Sequence, residues 1–171
     1  MNKCHIEVNR KAPAVEAADI FIEATRETVW NILSDLGSWP SWNPGVTKIG
    51  LNGPVAVGTS FAWVGGKSKI VSRLEEVDPP QRIAWSGKTL GIRAIHVWEL
   101  SDRDGGTQVH TEESFEGLIA RLFCGIARKM LAKALTQGIS SLKAAAERGL
   151  LTDGHPDDLF AGPAEPGQAS R

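Results

Sequence analysis

Four histidines (His5, His96, His110 and His155) and two cysteines (Cys4 and Cys124) are the residues of this chain best suited to hold a metal or act as a nucleophile. They are dispersed, with no CxxC and no Cys/His cluster at zinc spacing, so the sequence predicts no metal site. Two such thiols fit a reducing compartment better than a disulfide framework. Cys124 lies in an apolar helical pattern and is expected to be buried filler. The chain has no P-loop, no GxGxxG after a strand, no HExxH and no GxSxG. "GGKS" at 65–68 lacks the upstream glycine of a phosphate loop and falls in a hairpin. No cofactor is expected.

What remains is a carboxylate and an imidazole. In "TQVHTEESFEG" the alternate set Val109, Thr111, Glu113, Phe115 is more apolar than Gln108, His110, Glu112, Ser114, which turns Glu113 toward the core. In "IRAIHVWEL" the set Ile92, Ala94, His96, Trp98, Leu100 outweighs Arg93, Ile95, Val97, Glu99 by a smaller margin, which turns His96 inward too. Two readings stay open: a buried pair that satisfies itself, or the polar points that orient a ligand or move a proton in an otherwise apolar pocket. The same alternation puts Phe61 and Trp63 of "TSFAWVGG", and Ile83 and Trp85 of "RIAWS", on inward faces.

The elements that carry these residues are legible from periodicity and turn chemistry. "ADIFIEA" (18–24) reads as a strand, and "TRETVWNILSDLG" as a short amphipathic helix with Thr25 as its N-cap. From 46 to 116, six short strand-like segments are separated by turn formers such as Asn52-Gly53-Pro54, Gly65-Gly66 and Asp78-Pro79-Pro80. Six in a row with tight connections predict an antiparallel meander. Residues 118–148 read as one helix with Ile119, Leu122, Phe123, Ile126, Met130, Ala134, Ile139, Leu142 and Ala145 on its apolar stripe. Gly125 and Gly138 interrupt it, either for close packing against the sheet or to leave room beneath the helix.

The simplest architecture is α+β: a curved seven-stranded antiparallel sheet gripping the C-terminal helix, with a core or a cavity between them. Residues 1–15 form an N-terminal extension of unknown role, an added edge strand or a dimer contact. Residues 16–149 form the domain, and 150–171, rich in Pro, Gly and acid, read as a disordered tail.

Composition bounds the rest. In 171 residues, 42% apolar and 23% charged, 19 basic groups nearly balance 20 acidic ones. This is ordinary globular composition, and the charges read as scattered, without the basic stripe that binding to nucleic acid or an anionic membrane would need, so no polyanionic partner is expected. No signal peptide or membrane span is visible, so a cytoplasmic location is expected. A homodimer stays open.

The segments "VWNILSDLGSWPSWNP" (29–44), "GTSFAW" (58–63), "EEVDPPQRIAWSG" (75–87), "HVWEL" (96–100) and "GGTQVHTEESFEGLIARL" (105–122), in that order, resemble the START-related helix-grip superfamily known as SRPBCC. The closest resemblance is to its bacterial polyketide cyclase/dehydratase and lipid-transport branch. The resemblance covers about residues 17–148 and implies a second short helix between strands 1 and 2. There Trp39 and Trp42 would wedge the pocket mouth, Trp39 equally well filling the core. It also implies a hydrophobic small-molecule ligand, lipid- or polyketide-like. The family has no universal catalytic motif, so His96 and Glu113 rest on strand phase alone. The expected ligand-binding set is Trp42, Phe61, Trp63, Trp85, His96, Trp98, Glu113, Phe115 and Met130. Three functions follow: a binder of a hydrophobic or aromatic metabolite, a cyclase or dehydratase with His96 and Glu113 as acid–base groups, and a module that binds a protein partner.

Overall fold

The computed structural model describes residues 5–152. β1 (Ala14–Ile22) is followed by α1 (Arg26–Ser34), a 3-10 turn (Leu36–Ser38) and α2 (Trp39–Trp42). Then come β2 (Val46–Leu51), β3 (Ser60–Gly65), β4 (Ser68–Asp78), β5 (Arg82–Thr89), β6 (Ile92–Arg103) and β7 (Gly106–Glu116). Two helices close the chain, α3 (Leu118–Leu122) and α4 (Cys124–Thr152). All seven strands join one antiparallel sheet in the order β1-β7-β6-β5-β4-β3-β2. The chain therefore has the expected α+β helix-grip architecture, with its two short helices between β1 and β2. The disorder expected for the tail lies outside the described residues, except that α4 continues to Thr152.

Local chemistry sets the element ends. Thr25 caps α1 by accepting a bond from Thr28 N at 3.2 Å. "SWPSW" packs a 3-10 turn and an α-turn close together, with Pro40 in the first turn of α2, where its missing N–H costs nothing. Gly117 (φ +115°) starts α3 hard against the β5–β6 turn, where a Cβ would lie 2.2 Å from Gly91 O. No other residue fits there.

The core lies between the sheet's concave face and the helices: Trp30, Leu33 and Leu36, with Trp39, face Phe61, Leu74, Ile83, Trp85, Trp98 and Val109. α4 contributes Leu131, Leu135, Ile139, Leu142 and Ala146. This corrects the expected helix twice. A break at Phe123 (φ −118°, ψ 36°) divides it, and the buried row of α4 starts at Leu131 and Leu135, one residue beyond Met130 and Ala134. Both rows are apolar at four-residue spacing, so periodicity does not choose between them. Leu131 and Leu135 pack with Ala14 and Phe115, and at the surface the same rotation lets Arg128 reach Glu16 on β1 at 2.8 Å and Lys143 reach Phe21 O at 2.9 Å. Cys124 is exposed, not buried as its apolar neighbours suggest. A Cβ at Gly138 would meet Trp98 at 3.9 Å, an ordinary contact, and one at Gly125 would meet nothing within 4 Å, so close packing demands neither glycine. Gly125→Ala is accordingly expected to raise stability by about 0.5–1 kcal/mol through helix propensity, read as a higher urea midpoint.

Residues 5–13 form neither an edge strand nor a free arm. They cross the convex face of the sheet, where Ile6 and Val8 cover Ala84 and Val97. Arg82 Nη2 donates to Ile6 O at 2.6 Å and its Nε to Glu76 at 3.1 Å, while Asn9 N donates to Ser114 Oγ at 3.1 Å. The sheet is thus covered on both sides.

Candidate ligand site on the concave face

Strand register assembles the site. Trp85 on β5 pairs with His96 on β6, which pairs with Glu113 on β7, which pairs with Glu16 on β1. These four side chains form one row across the concave face, and Ile83, Trp98, Thr111 and Ala18 form the next. Both residues that strand phase turns inward, His96 and Glu113, do face the core.

The row runs from the Trp85 indole through His96 to the carboxyls of Glu113 and Glu16. The His96 ring lies between two indoles, 4.6 Å from Trp85 and 5.4 Å from Trp98 between centroids. Trp39 extends the layer, 5.4 Å from Trp85, 6.1 Å from Phe61 and 6.4 Å from Trp63. Its Nε1 donates to Leu33 O at 2.9 Å, and that of Trp63 to Ser72 Oγ at 3.1 Å. The indole N–H groups of Trp42 and Trp98 are buried and have no acceptor, a state that costs roughly 1–3 kcal/mol per group.

Hydrogen-bond inventory fixes the state of His96. Thr111 Oγ1 has one proton and gives it to Val97 O at 3.0 Å. Its 2.9 Å contact with His96 Nε2 must therefore be donated by the histidine. Nδ1 is left with a bare lone pair, 3.6 Å from Glu113 Oε2, too far for a hydrogen bond. The two side chains keep 13% and 14% of their surface exposed. Burial lowers the His96 pKa from 6.5 to about 3 and raises that of Glu113 from 4.5 to about 8. At neutral pH the site holds a neutral imidazole with an acceptor nitrogen and, facing it, a protonated carboxyl: a base and an acid, neither charged. Glu16, in the same row, is instead taken up by Arg128.

Of the residues expected to bind ligand, Phe61, Trp85 and Trp98 are buried in the floor, and Trp42, Trp63 and Phe115 are half-buried beside it. Met130 stands apart. It is 65% exposed and walls no enclosed space, because the rotation of α4 gives the inward position to Leu131. Thr111 joins the site beyond the expected set, its place on the Glu113 face of β7 being the available signal. A depression of about 160 Å³ lies on the opposite side of the sheet, beneath the N-terminal segment, among Glu7, Arg10, Arg82, Glu99, His110 and Glu112. Among the described residues no cluster of His, Cys, Asp and Glu has metal-site geometry, and no helix is long and apolar enough to cross a membrane.

Comparison with solved structures places this architecture. A hypothetical protein of Helicobacter pylori superposes with a TM-score of 0.71 at 18% identity, over 85% of this chain and 97% of that one. The Zhui aromatase/cyclase of a Streptomyces species gives 0.69 at 18% identity, over 82% and 97%. A START superfamily protein of Mycobacterium smegmatis gives 0.60 at 14% identity, over 78% and 97%. At these identities the likeness is one of fold. No curated protein sequence matches this chain. The model of the family described as polyketide cyclase / dehydrase and lipid transport matches residues 14–147. A match over that span, on a sheet and helix arranged in this way, makes the chain a member of the polyketide cyclase/dehydrase and lipid-transport family.

Proposed function

We propose that the protein binds a hydrophobic or aromatic small molecule that carries oxygen, lipid- or polyketide-like, against the concave face between the sheet and α4. The observation that carries this reading is the neutral His96–Glu113 pair set in a layer of indoles, with the Trp98 and Trp42 N–H groups left without acceptors. Carboxyl and indole are both donors, so they suit a carbonyl or hydroxyl oxygen on an otherwise apolar ligand. Membership of the family supports the class of ligand.

Indole fluorescence offers the test, with anthracene and a hydroxyanthraquinone of similar shape as probes. The quinone is expected to quench and to bind at least tenfold more weakly to Glu113→Leu, while anthracene is affected little, since a lost hydrogen bond to a buried polar group is worth about 1–3 kcal/mol. Failure of both probes to quench would set the reading aside.

One observation favours a second reading, an enzyme of the cyclase or dehydratase type. The tautomer imposed by Thr111 aims the basic nitrogen of His96 at the acidic oxygen of Glu113. A ligand carbon acid lying across the pair would lose a proton to Nδ1 while its carbonyl or departing hydroxyl oxygen takes one from the carboxyl.

A further inference from the structure

We propose that α3 and the first half of α4 form a docking face for an anionic lipid membrane. The face does not depend on the pocket reading. Leu118, Leu122, Ile126 and Met130 recur at four-residue spacing, and each is more than half exposed. Ile119 and Phe123 flank them and are also exposed. Ile119 lies against the β5–β6 turn, its Cδ1 3.6 Å from where a Cβ of Gly91 would be, and the adjacent Leu90 is 75% exposed. Two elements therefore present one protruding apolar ridge, larger than the isolated apolar residues that any soluble surface tolerates.

Charge selects the occupant. Arg121, Lys129 and Lys133 also stand at multiples of four residues, one position from the apolar row or in line with that offset, and all three are exposed. No acidic residue occurs between Glu116 and Glu147. Among the described residues these three cations have no carboxylate partner, whereas Arg128 and Lys143 are answered by Glu16 and Glu147. This local excess departs from the scattered charge expected of the sequence as a whole. A second copy docking face to face about a two-fold axis would set the cations of one subunit near those of the other with no acid to offset them. An anionic bilayer surface supplies both what the ridge and what the cations require: an apolar layer beneath and negative charge above.

Flotation of the full chain with vesicles of phosphatidylcholine, alone or mixed with phosphatidylserine, tests the proposal. Binding is expected to the mixed vesicles, to weaken with added salt, and to be much weaker on phosphatidylcholine alone. Each cation near an anionic surface contributes about fivefold in partitioning, so replacing Arg121, Lys129 and Lys133 by Gln should lower it roughly a hundredfold. Replacing Leu122, Ile126 and Met130 by Ser should abolish it even at low salt. All six positions are exposed, and circular dichroism should match the parent; if the serine variant fails to fold, the glutamine variant decides. The proposal is overturned if the parent ignores the mixed vesicles or if the glutamine variant floats as well as the parent. It is equally overturned if vesicles are not bound and the serine variant instead turns a sedimenting dimer into a monomer, making a second copy the occupant.

Discussion

Glu113→Gln is expected to stabilise the fold at pH 8 by on the order of 3 kcal/mol while removing any proton transfer the site performs. The carboxyl titrates near 4.5 when exposed and at about 8 in the folded chain, so an unfolded chain at pH 8 ionises a group that the folded one holds half-protonated. The full difference corresponds to about 4–5 kcal/mol at 1.4 kcal/mol per pH unit. Burying the glutamine amide returns part of that gain. His96 acts in the opposite sense, since its pKa falls from 6.5 to about 3 on folding.

Between pH 4.5 and 6.5 the unfolded chain carries one proton of the pair on His96 and the folded chain carries one on Glu113, so stability is flat. Above 6.5 the unfolded chain has lost its proton and the folded chain has not, so stability falls by about 1.4 kcal/mol per pH unit until about pH 8. Below 4.5 the unfolded chain gains a second proton that the folded one refuses, and stability falls with acidification toward pH 3. Urea melts across this range should trace that plateau, and Glu113→Gln should erase its alkaline shoulder. A shoulder unchanged in the variant would show that Glu113 is not the buried acid. The same substitution tests the enzymatic reading, because the amide still donates a hydrogen bond but transfers no proton: binding should survive it, while any turnover shown by the parent should be lost.

The second large effect belongs to Trp39. It is almost fully buried, meets Phe61, Trp63 and Trp85 at ring-contact distances, and spends its N–H on Leu33 O. Trp39→Ala should therefore cost about 3–5 kcal/mol, as other large-to-small core changes do. The vacated space is flat, aromatic-walled and supplied with a free carbonyl acceptor. Added indole should refill it and raise the melting temperature of the variant while leaving the parent unmoved. A loss of under about 1 kcal/mol would mean that the indole layer collapses onto itself and Trp39 is a mouth residue, not core.

Much of this architecture is legible in the amino-acid order. The seven strands follow from turn formers spaced along the chain, and the inward placement of Glu113 follows from the clear contrast between its two strand faces. The margin for His96 is thinner, and the structure explains it. Ala84 and Val97 on the convex side of β5 and β6 are buried as well, under Ile6 and Val8, so those strands are apolar on both faces and alternation fades. A cover supplied from the far end of the chain leaves no local signature in β6 beyond that blurring. The rotation of α4 is hidden for a different reason. Met130 and Leu131 both head apolar rows of period four, and the row that is buried packs with Ala14 and Phe115, contacts to strands that local periodicity does not register. Likewise, no spacing rule announces that Thr111 will set the tautomer of His96.

The segment across the convex face constrains how the chain is made. Asn9 bonds Ser114, 105 positions later, and Ala14 pairs with Phe115. On the ribosome residues 9–14 thus wait for nearly the whole domain before their partners exist. Closure of β1 on β7 and the laying of that segment over the sheet belong to the last stage of synthesis, after many long loops have been brought together. Residues 5–13 are a latch fastened from outside across the strands that they cover.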